Sequence, residues 1–576
     1  MILPGTALAQ QNPAPAAATP SSAEQRLRQL YEAEWEWRRE QEGRLRGDGP
    51  GAATDRLPSV TPEAYQARLA YWERALAELD TIPLDRLSNE ERINAAVFRT
   101  VLEEQIGDVR YRTYEAPFNS DSFFWTWIAP RSGFANAEEY RRYISRLRDI
   151  PRHFGEHIAN MRAGLARGFS VPRVTLTGRD ETIVPFTADS DENPLYTPFE
   201  QMPASISAEE QARLRTEGMA AIREAGAPAY RDLLAFIRGD YMRQARTTIG
   251  ASEMPDGAAY YQAMIRKFTT LDITPREIHE TGLSEVARIR AEMDEVIQRA
   301  GFTGSFAEFT HFLRTDPQFY AETPNELLGY ASYVVMRAHG QLRNTIGTLP
   351  RYRHGIIPVP DDIAPIYTGG RGGLQNCQFN TWNLPQRPLY NIPALALHEC
   401  TPGHSFQAAL ALEGPDRPEF RQRTYFSGYG EGWGLYVEWL GTVMGIYQTP
   451  YEDFGRLTYE MWRAARLVID TGIHAYGWDR DRAIAYLTEN TAMSELEIVN
   501  EIDRYISWPG QAVAYKLGEL TIRRLRGEAE QRLGAGFDQR GFHDTILGLG
   551  SVPLPVLEEQ VRAWIAAQEQ QASAAR

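Results

Sequence analysis

The chain has 576 residues, 43% hydrophobic and 24% charged, with 28 Tyr and 12 Trp, a balance that supports a large core and argues against widespread disorder. The net charge of −15, with no concentrated basic run, argues against a nucleic-acid partner, because phosphate binding needs a basic footprint. No apolar run approaches the roughly 20 residues of a membrane span.

In chain order, residues 1–24 differ from the rest. Ala7-Leu8-Ala9 before Gln10 resembles the small-residue cleavage site of a secretory signal, but the basic start and most of the apolar stretch of such a signal are missing. The segment reads as a signal remnant or a disordered Ala/Pro tail, and points to a periplasmic or secreted protein, with the cytoplasm as the alternative.

Residues 25–565 read as one mainly α-helical unit. "SSAEQRLRQLYEAEWEWRREQEGRL" opens on serine caps and repeats apolar residues at helical spacing. A second helix in "NAEEYRRYISRLRDIPRHFGEHIANMRAGLARG" ends on Gly168. A third runs from the Thr274 cap and Pro275 to Gly301, with Ile278, Val286, Ile289, Met293 and Val296 along one face. Further helices are expected near 205–238, 324–346, 391–412, 430–446, 451–475, 494–506 and 510–533. Strand text is confined mainly to "VPRVTLTG" and to 352–382. The expected architecture is two lobes, about 25–345 and 346–565, with a small sheet beside the segment "ALALHECTPGH".

That segment carries the chemistry. Two imidazoles four apart on a helix can share one zinc ion, yet His404 follows His398 by six residues, which leaves it about 120° away on an ideal helix. Pro402 cannot donate the backbone hydrogen bond expected at its position, and Gly403 follows it. A kink or π-type bulge is therefore expected to return His404 to the face of His398. Glu399 adjoins His398 as a general base. In "SGYGEGWGLYVEWLG", Glu431 and Glu438 lie seven apart, nearly aligned on one helix face, among apolar residues where an unpaired carboxylate is costly. One of them would bind metal while the other orients a histidine. Cys400, inside the motif, reads as a small buried residue or a disulfide partner of Cys377, not as a nucleophile.

"HECTPGHSFQ", "YGEGWGLYVE", "RLVIDTGIHAYGWDRDRAIAYL" and "WPGQAVAYKLG" together resemble the bacterial domain-of-unknown-function 885 family of predicted zinc metallopeptidases. That family is in turn similar to the gluzincin-like thimet oligopeptidase, neurolysin and Taq carboxypeptidase group. The resemblance spans about 25–565. It implies an all-α metallopeptidase fold of two lobes around a deep cleft, one Zn2+ ion and a short peptide substrate. It gives the third ligand role to Glu431, 27 residues after His404, and the supporting role to Glu438. The two extra residues between Glu399 and His404 depart from the group's pattern.

Peptide hydrolysis also needs an oxyanion donor. Tyr515 is favoured, then Tyr505, each with a packed tyrosine as the alternative; Gln511 lies one helical turn from Tyr515. Arg466, Asp470 and His474 recur every four residues, either lining the cleft or joining helices. His474 is a catalytic candidate and the spare ligand, Asp470 a supporting group, and Arg466 a substrate contact. In "APIYTGGRGG", Tyr367 and Gly369 belong to a possible edge strand for a peptide backbone, a plain loop being the alternative. His153, His157, His279, His311, His339, His354 and His543 lack comparable partners and read as structural. The expected function is zinc-dependent hydrolysis of short peptides. The alternatives are a zinc amidohydrolase acting on a modified amino acid or small amide, and a non-catalytic exported binding protein, which would have no need of Glu399. The sequence carries no signal of oligomeric state.

Overall fold

Helix starts in this chain are set by side-chain caps that satisfy the first free backbone N–H groups. The computed structural model, which describes residues 21–43, 54–361 and 363–574, shows this at once. Ser21 and Glu24 form a reciprocal capping box that starts α1 (Ser22–Glu42). Residues 21–24 therefore belong to this helix start, and the rest of the segment expected as a tail or signal remnant, the cleavage-site reading included, lies outside the described residues. α2 (Pro62–Leu79) and α3 (Asn89–Arg110) begin on Thr61 and Ser88. α4 (Ala137–Arg167) stops at Gly168, where φ is +80°. α5 (Pro275–Arg299) starts on the Thr274–Glu277 capping box, as its sequence predicts.

The small sheet follows. β1 (Gly355–Pro358) pairs parallel with β3 (Asn376–Phe379), and β2 (Gly370–Arg371) pairs antiparallel on the other side of β3, giving the order β1-β3-β2. The expected strand "VPRVTLTG" is absent. Arg173–Leu176 instead forms a 3-10 turn after Pro172, with the Arg173 N–H on the Arg246 carbonyl and the Val171 N–H on the Tyr241 hydroxyl. Its β-branched residues have no neighbouring strand, and β propensity counts for little without one.

The remaining site-bearing helices are α6 (Ile392–Glu399), α7 (His404–Glu413), α8 (Ser427–Val443), α9 (Pro450–Tyr476), α10 (Glu495–Ser507), α11 (Ala514–Leu533) and α12 (Leu554–Ala574). α9 is buried along most of its length and packs on α5, while α8 packs on α11. The largest core joins residues of α1–α3 with residues 321–565, and a separate core gathers residues between 118 and 245. The cores therefore part differently from the expected division at 345, because α1–α3 share their apolar faces with the C-terminal helices. No helix among the described residues is long and apolar enough to cross a membrane.

Candidate functional site

The local surprise is the segment expected to bend. α6 ends at Glu399 and α7 begins at His404, so the helix breaks completely instead of bulging. Cys400 (φ −105°, ψ −91°) and Gly403 (φ −78°, ψ −138°) both leave helical geometry. Three side chains hold the break. Trp433 of α8 donates from Nε1 to the Pro402 carbonyl at 2.8 Å, the Ser405 hydroxyl donates to the Glu399 carbonyl at 3.0 Å, and Cys400 is disulfide-bonded to Cys377 of β3. A Cβ at position 403 would lie 1.8 Å from the His398 carbonyl oxygen, so glycine is needed for the two helix ends to approach. The expected outcome survives by this different route, since the rings of His398 and His404 come to 4.8 Å, nearly perpendicular.

Glu431 completes the group. One nitrogen from each histidine and one Glu431 oxygen all lie within 4.8 Å of one another. Glu431 Oε2 is 3.5 Å from His398 Nε2 and 3.3 Å from His404 Nε2. Tetrahedral zinc with ligand bonds of about 2.0–2.1 Å places its ligand atoms about 3.4 Å apart, so these two edges and the N,N,O donor set fit one zinc ion. The charges agree. Burial opposes protonation of His398, but hydrogen bonds to Glu431 and Glu438 outweigh it and push its pKa up to about 9. Burial likewise opposes charge on Glu431, yet His404 and His398 hold its carboxyl well below the usual range. A partly buried group whose carboxylate stays ionised is suited to a cation.

Glu438, two turns along α8 from Glu431, supports the group from behind. His398 Nδ1 donates to Glu438 Oε1 at 2.7 Å, which fixes the ring so that Nε2 faces Glu431 at 3.5 Å. Glu438→Gln is expected to weaken zinc affinity about 10- to 100-fold, as other carboxylate supports do; competition with a calibrated chelator measures it, and an unchanged affinity would count against the supporting role.

Glu399 is held by the sheet, because the Gly372 N–H just after β2 donates to its Oε2 at 2.5 Å. A Cβ on Gly372 would meet the Glu399 carbonyl oxygen at 2.2 Å and the His404 Cβ at 2.7 Å. This glycine is thus required for the strand to approach the site helices. β2 is an edge strand of two residues, so within the segment that allowed either a strand or a loop Tyr367 and Gly369 fall in the loop before it; Tyr367 lies within electrostatic reach of Glu399 and Tyr515. Gly369 gives its carbonyl to the Asn380 N–H.

Tyr515, half-buried on α11, has its pKa raised by burial and then by Glu431, so it lies within electrostatic reach of the His398–His404–Glu431 group. Gln511 hydrogen-bonds Tyr515 and accepts from Arg504 at 2.6 Å, so it positions the tyrosine. Tyr425 was not among the expected site residues. Its hydroxyl lies 3.4 Å from Glu431 Oε1, its ring is 54% exposed, and both Tyr515 and Glu399 are within its electrostatic reach. It precedes α8 in a non-periodic turn, so its distance of six residues from Glu431 was the only available signal.

Four expected residues belong elsewhere. Tyr505 is fully buried and its hydroxyl is committed, donating to Glu501 at 2.8 Å and accepting from Trp462 and Arg466. It has no proton left to offer an oxyanion. His474 accepts the Ala251 N–H at Nδ1 and donates from Nε2 to the Tyr505 carbonyl, and burial lowers its pKa to about 3. With both nitrogens used, it is neither a spare ligand nor an acid–base group. Asp470, raised to about 7 by burial, accepts from the Tyr261 hydroxyl and the Gly510 N–H and does not support His398. Their shared helical face joins α9 to its neighbours. Arg466 links Glu501 to Tyr505 and stacks 4.3 Å over the Tyr515 ring, which makes it a support of that ring.

Two solved structures share this architecture. A protein of Colwellia psychrerythraea described as a "putative lipoprotein" is 27% identical, with a TM-score of 0.87 over 95% of this chain and 100% of its own. A "putative lipoprotein of unknown function" from Shewanella oneidensis is 17% identical, with a TM-score of 0.72 over 94% of this chain and 99% of its own, and shares the fold. No curated protein matches the chain. The family described as "Bacterial protein of unknown function (DUF885)" matches residues 43–561, and the chain belongs to that family.

Proposed function

We propose that the protein is a zinc-dependent peptidase acting on short peptides, exported to the periplasm or beyond. The observation that carries this reading is the convergence of His398, His404 and Glu431 with Glu399 held one residue from the first ligand. Those three residues would hold the ion, which supplies Lewis-acid activation of water and of the scissile carbonyl when bound. Glu399 takes the proton of the attacking water and delivers it to the leaving amine. Tyr515 donates a hydrogen bond to the developing oxyanion, while the Tyr425 hydroxyl is directed at Glu431. β2 offers free backbone groups to an extended peptide. The likeness of the motifs to the thimet oligopeptidase group supports the same reading, with a two-lobed fold around a substrate cleft. Export is supported by the Cys377–Cys400 disulfide, a bond that persists in oxidising compartments, and by the description of the two structural relatives as lipoproteins.

Metal analysis of the purified protein, combined with a panel of short free and blocked peptides, tests the proposal. One zinc per chain and cleavage that stops on chelation are expected; stoichiometric absence of metal, or cleavage indifferent to chelation, would sink it. Tyr515→Phe is expected to lower kcat about 100-fold with metal retained, the usual cost of one lost oxyanion donor; single-turnover rates read this directly.

A further inference from the structure

A small pocket is lined by Glu399, by Gly369 and Gly370 at the start of the edge strand, by Tyr459, Trp462 and Arg463 of α9, and by Glu497 of α10. The unusual group in it is Arg463. This guanidinium is only 4% exposed and stacks on Trp462 at 4.1 Å and Tyr459 at 4.7 Å. Its polar contacts are poor for a buried cation. Nη1 reaches the Tyr459 carbonyl at 3.4 Å, Nη2 stands 3.6 Å from Glu438 Oε1, and Nε has no hydrogen-bond partner. Glu438 Oε1 already takes the His398 proton at 2.7 Å, so it does not serve Arg463 fully. Both acids that line the pocket are also engaged, since Glu497 accepts from Arg387 at 3.3 Å and from Ser494, and Glu399 accepts from the Gly372 N–H. The pocket thus holds one under-satisfied cation with planar, forked donors, a geometry matched to a carboxylate. A buried charge left short of partners is costly unless something completes its shell.

We propose that this pocket is a subsite for a substrate carboxylate, bound by Arg463 next to the bond presented to Glu399. The inference rests on the peptidase reading and narrows it to peptides whose terminal residue, or an acidic side chain on it, places a carboxylate beside the scissile bond. Arg463 then discriminates by charge, while Tyr459 and Trp462 form apolar walls around the rest of the residue.

The test uses the zinc-loaded protein with three matched peptides: a free C-terminus, the amidated form, and an amidated form ending in aspartate. Wild type is expected to favour the free acid over the plain amide about 10- to 100-fold in kcat/KM, the usual range for a hydrogen bond to a charged group. Arg463→Gln should abolish that preference, and Arg463→Lys should keep part of it. Zinc content and melting temperature are measured for each variant, and rates are expressed per bound zinc. If the aspartate peptide recovers the rate, the carboxylate can come from a side chain; if only the free acid is fast, it comes from the terminus. Equal rates for acid and plain amide in wild type, or a preference untouched in Arg463→Gln, overturn the subsite. Cleavage of none of the three peptides removes the peptidase reading instead. The subsite is then judged by calorimetric binding of the acid and amide peptides to zinc-loaded protein with and without Arg463→Gln, and an Arg463-independent result overturns it.

Discussion

Glu399→Gln is expected to lower kcat about 10³-fold or more while zinc content and melting temperature stay at wild-type values. Glutamine is the informative replacement because its side-chain oxygen still accepts the Gly372 N–H that holds Glu399 at 2.5 Å. The position of the side chain is kept and only its capacity to take a proton is lost. General-base contributions span about 10²–10⁴-fold, and this residue is asked both to receive and to return the proton, so the upper part of the range applies. Alanine would confound the result by leaving the Gly372 N–H unpartnered. Wild-type turnover in the glutamine variant, with metal in place, would remove Glu399 from the chemistry.

The second large effect is expected at His404. His404→Ala should weaken zinc binding about 10²- to 10³-fold, because one protein ligand in a small set carries a sizeable part of a binding free energy on the order of 10 kcal/mol. Its two companions cannot compensate. His398 Nδ1 is tied to Glu438 and Glu431 is the shared carboxylate, so no fourth protein donor stands ready within the group. His474→Ala should leave metal content unchanged, since both of its ring nitrogens are already committed. Stoichiometric metal in His404→Ala under chelator competition would show that the broken helix does not deliver a ligand.

Much of the fold and site could be read from the chain, for identifiable reasons. Capping residues and apolar periodicity are local, so helices such as α4, α5 and α9 appear nearly where their sequences place them. The spacing of Glu431 and Glu438 is also local, because seven residues on one helix leave two side chains on one face whatever surrounds them. What lies opposite a face is not local. Arg466, Asp470 and His474 do share a face of α9, but it turns toward Tyr261, Gly510 and Tyr505. Spacing alone could not choose between substrate and helix as their neighbour. The route taken by His404 was hidden for the same reason. Pro402 and Gly403 signal a disturbance, whereas the full break depends on Trp433, Ser405 and Cys377, which come from the facing helix, the next turn and the sheet. Tyr425 lay outside any periodic element and left no pattern to follow.

The cross-link between Cys377 and Cys400 closes a covalent ring that contains most of β3 and all of α6, Glu399 included. The Gly372 N–H fastens that ring to the edge strand. The strand edge, Glu399 and His398 are therefore tied together by one covalent bond and one hydrogen bond. Glu431 within α8, Tyr425 just before it and Tyr515 at the start of α11 lie outside that covalent ring.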